Sequence, residues 1–287
     1  MTPHILVAPY NEKLMGQLRQ WKMVILASGE SQVGSANNHL RQDNRLHAVV
    51  LRTGKALSAI EYEEPWENIP LFIYADEFGS FRDLSSKVDF LRKMGARFFL
   101  SGEKAENYQW VQMLASMGFN CGVHLGKKAH WEAASDLLHY SFYSPAKHGQ
   151  VEPFNYISGN FSVDSSINYA AVYFDDPSRY LHINENLEIA ASSQELNDGI
   201  FLAKGIEELK TISSNKAYET RLNAWRGLFL RNSECSGCES WRVCLGKHEG
   251  LSDKNGSKME CQAFYLQILE AIMQKPLPVE GKPEWRF

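Results

Sequence analysis

From about residue 70 onward, short apolar runs alternate with segments of helical period. Pro70–Ala75 (PLFIYA), followed by acidic residues and glycine, predicts a buried strand. Asp83–Met94 places Leu84, Val88, Leu91 and Met94 at helical spacing, and Gly95 marks the stop. Arg97–Leu100 predicts the next strand. Asn107–Met117 predicts a helix with Trp110, Val111, Leu114 and Met117 on one face, again followed by a glycine, Gly118. Cys121–Leu125 predicts a third strand, Trp131–Leu138 a third helix and Tyr140–Tyr143 a fourth strand. A β-α unit repeated at this spacing implies parallel strands with covering helices. The expected fold class is therefore α/β, an open sheet or part of a (βα) barrel.

The first 60 residues are less regular. His4–Ala8 predicts an initial strand and Glu12–Trp21 a helix, while the polar, glycine-containing stretch Ser28–Arg45 reads as a loop. Val49–Ile60 reads as a hairpin around Thr53-Gly54-Lys55. The character changes after about residue 178. There Tyr180–Ile183 and Leu187–Ala190 flank Asn184-Glu185-Asn186, a hairpin signal by turn chemistry. Helices are expected from Gly205, over Lys216–Phe229 and over Cys261–Met273, with an extended tail from Pro276 to Phe287. The chain divides accordingly into an α/β region, 1–177, and a C-terminal region, 178–287.

Composition narrows the function classes. In 287 residues, 44% are hydrophobic and 22% charged, enough for a sizeable core. Thirty basic against thirty-four acidic residues give a net charge of −4. That balance supplies no footprint for a nucleic-acid partner and no polybasic patch for a membrane. The N-terminus, Met1-Thr2-Pro3-His4, carries no secretory pattern. The longest apolar runs, Met23–Ala27 and Ala170–Phe174, are too short to cross a bilayer. A cytoplasmic location is the expectation. No Gly-rich phosphate loop, Gly-x-Ser-x-Gly or His-Glu-x2-His occurs, which argues against nucleotide hydrolysis, serine hydrolysis and zinc proteolysis.

The cysteines are distributed unevenly. None precedes Cys121, whereas Cys235, Cys238, Cys244 and Cys261 occupy one short stretch as C-x2-C-x5-C-x16-C. A C-x2-C pair lets a tight turn bring two thiolates to one ion, and four thiolates complete a zinc site or hold an iron–sulfur cluster. In a reducing compartment such clustered thiols are metal ligands rather than disulfides. Spacing alone does not choose between the two metals. Cys121, alone in an apolar segment, reads as a buried small hydrophobe.

Cys235-x2-Cys238-x5-Cys244-x3-His248, with Cys261 after a gap, resembles the SPASM domain, the C-terminal extension of peptide-modifying radical S-adenosylmethionine (SAM) enzymes. The family pattern reads C-x2-C-x5-C-x3-C, gap, C, and an earlier cysteine pair follows a β-hairpin. The resemblance covers about residues 178–273. It implies that Cys235, Cys238, Cys244 and Cys261 hold one auxiliary 4Fe–4S cluster. Two departures accompany it. Ala191-Ser192-Ser193 stands where the family has cysteine after the hairpin, and His248 stands in place of the fourth cysteine of the run. One cluster site is therefore expected, not two. His248 reads as a surface or supporting residue, because four thiolates already complete the ligand set.

The N-terminal region is similar to the same superfamily in a fainter way. Arg97–Glu103 (RFFLSGE) looks like the strand and Gly-Gly-Glu turn that radical SAM barrels place near SAM, with Ser101 in place of the first glycine. Taken alone, strand-Ser-Gly-Glu is an ordinary turn. The family's C-x3-C-x2-C motif is absent, since residues 1–120 contain no cysteine. The resemblance thus implies a truncated, degenerate radical-SAM-like barrel joined to a SPASM-type cysteine-rich domain, with no SAM bound or cleaved. The function expected from it is that of a non-catalytic accessory protein in ribosomal-peptide modification. Its partners would be a precursor peptide, a catalytic maturation enzyme, or both. Two alternatives stand beside it. One is a peptide-modifying enzyme in its own right that uses the crevice at the strand ends, with Glu103 acting there. The other is a binding module that holds Zn2+ purely for folding.

His130-Trp131, His139-Tyr140 and His148 could line a pocket, but scattered histidines among aromatics read as packing groups, and Glu61-Tyr62-Glu63-Glu64 reads as a solvated loop.

Overall fold

A computed structural model describes residues 4–40, 44–62, 66, 69–126, 128–162, 167, 169–227, 230, 233–244 and 257–274. In chain order the elements are β1 (Ile5–Pro9), α1 (Glu12–Gln17), β2 (Met23–Ala27), α2 (Glu30–Leu40), β3 (Leu46–Thr53), β4 (Leu71–Ala75), α3 (Phe81–Ser85) and α4 (Val88–Met94). There follow β5 (Arg97–Ser101), α5 (Ala105–Ser116), β6 (Cys121–His124), α6 (Trp131–Tyr143), β7 (Val151–Glu152) and α7 (Phe154–Asn160). The rest comprises β8 (Tyr180–Ile183), β9 (Glu188–Ala190), α8 (Ser193–Asn197), β10 (Ala203–Lys204), α9 (Ile206–Lys210) and α10 (Lys216–Arg226). Last come α11 (Ser233–Ser236), α12 (Trp241–Cys244) and α13 (Ser257–Gln274). The fold is α/β, with mostly parallel strands. No described helix is long and apolar enough to cross a membrane. The chain falls into two compact units, Met1–Phe98 with Tyr173–Trp225, and Phe99–Val172 with Arg226–Phe287.

In the first unit the strand order is β10-β9-β8-β1-β2-β3-β4. Strands β8, β1, β2, β3 and β4 are mutually parallel, and β9 and β10 extend the sheet antiparallel. Strands such as Met23–Ala27 and Leu71–Ala75 are near-continuous apolar runs because parallel strands are covered on both faces. The hairpin expected around Asn184 is present. Asn184 Oδ1 accepts from the N–H groups of Asn186 and Glu188, both at 3.0 Å, and Leu187 takes a left-handed φ of 59°.

Two segments of this region differ from what their local sequence suggests. Ser28–Arg45 is not a loop, since most of it is helix α2. Its apolar residues are few, but Val33, Ala36 and Leu40 share a face and are fully buried, and Gln32 Oε1 accepts from the Ser28 N–H at 2.9 Å. Val49–Ile60 is not a hairpin either. β3 pairs in parallel with β2 and β4, and the Thr53-Gly54-Lys55 turn leads into a short 3-10 turn, Leu57–Ala59.

In the second unit the strand order is β5-β6-β7, with β6 and β7 parallel. Helix α5 packs against β6 and α6, and α6 packs against α13. The strand expected at Tyr140–Tyr143 is instead the last turn of α6. Its aromatic residues suit a strand locally, but Ser141 and Phe142 continue the buried stripe of Leu137 and Leu138 at helical spacing.

Candidate metal centre

The four clustered cysteines all belong to the second unit. Cys235 lies in the single turn of α11. The chain then reverses, with the Cys238 N–H donating to the Cys235 carbonyl at 3.2 Å and the Trp241 N–H donating to the Cys238 carbonyl at 3.2 Å. That turn is the local structure a C-x2-C pair needs to present both sulfurs together. Both residues are half-buried. Helix α12 then opens, with the Val243 and Cys244 N–H groups donating to the Ser240 carbonyl at 2.9 and 3.3 Å. Cys244 and Ser240 are buried, and the Ile167 N–H donates to the Arg242 carbonyl at 2.7 Å, tying the segment to the rest of the unit.

Helix α12 packs against α13, and α13 carries position 261 one turn before Phe264 and Tyr265. The cysteine residues thus lie in α11, in the turn after it, in α12 and in α13. The donor set, four thiols, fits either Zn2+ or an iron–sulfur cluster. Among the described residues, no three His, Cys, Asp or Glu side chains are gathered as a coordination set. The side chain of Cys261, all of His248 and the tail Pro276–Phe287 lie outside those residues.

Cys121 is separate in chemistry as well as in position. It is buried in β6, its thiol donates to the Val111 carbonyl at 3.3 Å, and burial together with the neighbouring Glu152 carboxylate pushes its pKa upward. A thiol held in its neutral form is neither nucleophile nor metal ligand. The segment Ala191-Ser192-Ser193 serves helix capping, because Ser192 Oγ accepts from the Glu195 N–H at 3.1 Å at the start of α8.

The Ser101-Gly102-Glu103 turn lies at the C-terminal end of β5, the edge where parallel α/β sheets bind ligands. Gly102 is closely held. Its N–H donates to the His124 carbonyl at 3.1 Å, while its carbonyl accepts from the His130 N–H at 3.0 Å and from the Tyr108 hydroxyl at 2.9 Å. A Cβ at this position would lie 2.8 Å from the His124 oxygen and 2.9 Å from the Tyr108 hydroxyl, so only glycine fits. The Asn107 amide donates to the Ser101 carbonyl at 2.8 Å, and the Glu103 N–H donates to Ser101 Oγ at 3.3 Å. The Glu103 carboxylate is exposed.

The histidines are capping and packing groups. His130 Nδ1 accepts from the Ala133 N–H at the start of α6, the His139 ring tilts against Tyr143, and the His148 ring lies 4.9 Å from that of Tyr140. His148 also lines a cavity of about 510 Å³ with Ser116, Gly118, Asn120, Lys147 and Gln150. These residues precede β6 and β7, so the cavity sits at the end of the strands opposite the Gly102 turn.

Sequence reasoning missed two buried polar groups. In the first unit, His182 Nε2 lies 3.2 Å from the Phe174 carbonyl and 3.3 Å from Asp175 Oδ1, fixing a segment in which Phe174 takes a φ of 59°. Phe174 packs edge-on against His47, Phe72 and Tyr180, and burial of His47, helped by the Lys22 charge, depresses its pKa from 6.5 to about 4. In the second unit, the buried Glu152 accepts from the Tyr156 N–H at 2.9 Å through Oε2 and so caps α7. No spacing motif announces either group, because each bonds a backbone or side-chain group only four to eight residues away whose approach is set by the local fold.

No family model matches the chain, and no curated protein matches it.

Proposed function

We propose that this protein is a non-radical accessory of the SPASM type that binds one metal centre through Cys235, Cys238, Cys244 and Cys261 and works beside a peptide-modifying enzyme. The observation that carries this reading is the C-x2-C-x5-C-x16-C series, confined to one compact unit and led by a turn between Cys235 and Cys238. A 4Fe–4S cluster held by four thiolates supplies structural cross-linking or one-electron transfer and leaves no iron open to substrate. The parallel order β8-β1-β2-β3-β4 in the first unit supports a degenerate (βα) barrel as the ancestry of the sheet. The absence of cysteine from residues 1–120 supports a role without SAM cleavage. The peptide partner would meet the strand-end edge, at the turn where Gly102 is hydrogen-bonded to His124, Tyr108 and His130.

Anaerobic purification tests the reading. A brown protein whose broad absorption bleaches with dithionite is expected, and retention of a short precursor peptide or a second maturation enzyme in a pull-down is expected with it. A colourless protein with one equivalent of zinc would replace the cluster by a folding ion. Release of 5′-deoxyadenosine from SAM and reductant would overturn the non-radical assignment.

A further inference from the structure

Helix α13 has two attachments. Near its start it bears position 261, and one turn later Phe264 and Tyr265, each 1% exposed, pack on Trp131 with ring centroids 5.3 and 6.2 Å apart. Ile268, Ala271 and Ile272 continue that buried stripe, and Tyr143 at the far end of α6 donates to Gln274 at 3.3 Å. The backbone register puts position 261 on the face of α13 that bears 264, 265 and 268.

Trp131 is the first residue of α6, and the residue before it, His130, both caps that helix and donates its N–H to the Gly102 carbonyl. An unbroken series of contacts therefore runs within one unit from the cysteine segment, through α13 and Trp131, to the turn at the end of β5. We infer that α13 transmits occupancy of the cysteine site to the Ser101-Gly102-Glu103 turn, so that metal loading orders the surface on which a peptide would dock.

The inference rests on the metal reading above. Its physical basis is the general coupling of metal binding to folding: a ligand at 261 fixes the start of α13, and a fixed α13 holds Trp131 against Phe264. Loss of the metal frees that first turn. Trp131 and the His130 N–H then lose the support that keeps Gly102 clamped.

Amide hydrogen exchange of the full-length protein tests this, after its metal content has been measured. Chelation is expected to speed exchange roughly tenfold at 101–103 and 129–132, as well as at 235–244 and 257–265. Phe264→Leu is expected to keep the metal and still loosen 101–103 and 129–132. Trp131→Phe is the second probe should Phe264→Leu fold poorly, and the same pattern is expected of it. Faster exchange confined to 235–244 and 257–265 would overturn the coupling and leave the metal site standing. A protein that carries no metal as purified would overturn both.

Discussion

Trp131 and Phe264 meet at a ring-centroid distance of 5.3 Å, joining the start of α6 to the first half of α13. Phe154 and Tyr265 close on the same ring, with centroids 6.2 and 5.2 Å from that of Phe264. The second unit thus places its C-terminal helix by aromatic packing. Phe264→Ala should destabilise the protein by about 3–5 kcal/mol, the usual cost of emptying a buried phenylalanine site. Thermal unfolding should show the loss, and the Trp131 environment should become more polar by fluorescence. An unchanged midpoint would mean that α13 is held by other contacts.

Gly102→Ala should cost on the order of 1–3 kcal/mol, because the new methyl meets the His124 oxygen and the Tyr108 hydroxyl inside contact distance. Tyr108→Phe alone should cost about 1 kcal/mol through the lost hydrogen bond to Gly102. In the double variant the two losses should sum to less than their parts, since the second substitution removes half of the collision. Strict additivity in denaturant titrations would refute the close approach.

Cys238→Ser should lower bound metal in the purified protein, whereas Cys121→Ser should leave it unchanged. The Cys121 thiol donates to a backbone carbonyl inside the core, where serine can make the same bond. Elemental analysis of the two variants side by side separates ligand from packing residue. Equal metal in both would remove Cys238 from the ligand set.

The depressed pKa of His47 fixes the sign of a pH dependence. The unfolded chain takes up this proton near pH 6.5, while the folded protein resists it down to about pH 4. Stability from the neutral His47 is complete above about 6.5 and is lost as pH falls through that window, by an amount on the order of 3 kcal/mol. His47→Phe keeps ring contact with Phe174 and Tyr180 and should flatten the decline in unfolding midpoint between pH 6.5 and 4. A slope equal to that of the parent protein would show that other groups set it.

Leu187→Asn should raise the unfolding midpoint. Leu187 holds a left-handed φ of 59° in the hairpin turn, a conformation that costs a branched residue about 1–2 kcal/mol and asparagine less. The residue is only half-buried, so the packing lost is smaller than the strain relieved. A lower midpoint would show that its apolar contacts outweigh the backbone.

The elements that were legible in the sequence are those with a dense apolar signal. β4 is an unbroken run of five residues, and the helices around Leu91 and Leu114 end at Gly95 and Gly118, both with positive φ. Helix α2 was not legible because Val33, Ala36 and Leu40 stand among serines and asparagines, and three apolar positions are too few to show a period. The turn at Gly54 had the chemistry of a hairpin, yet β3 found both its partners elsewhere in the chain. Pairing choice is a tertiary matter that local turn residues do not decide. At the candidate site, the cysteine spacing was visible directly. The need for glycine at 102 was not, because it comes from a tyrosine and a backbone carbonyl that only the folded unit brings near.

Each compact unit is assembled from two separated stretches of chain, the first closing with Tyr173–Trp225 and the second with Arg226–Phe287. During synthesis the first unit therefore has all its residues before the second does. Strands β5–β7 and helices α5–α7 leave the ribosome without the helix that covers Trp131 and Phe154, and must wait for more than ninety further residues. A ribosome that stalls in that interval would display this aromatic surface uncovered, which makes the second unit the natural place for a chaperone to hold the nascent protein.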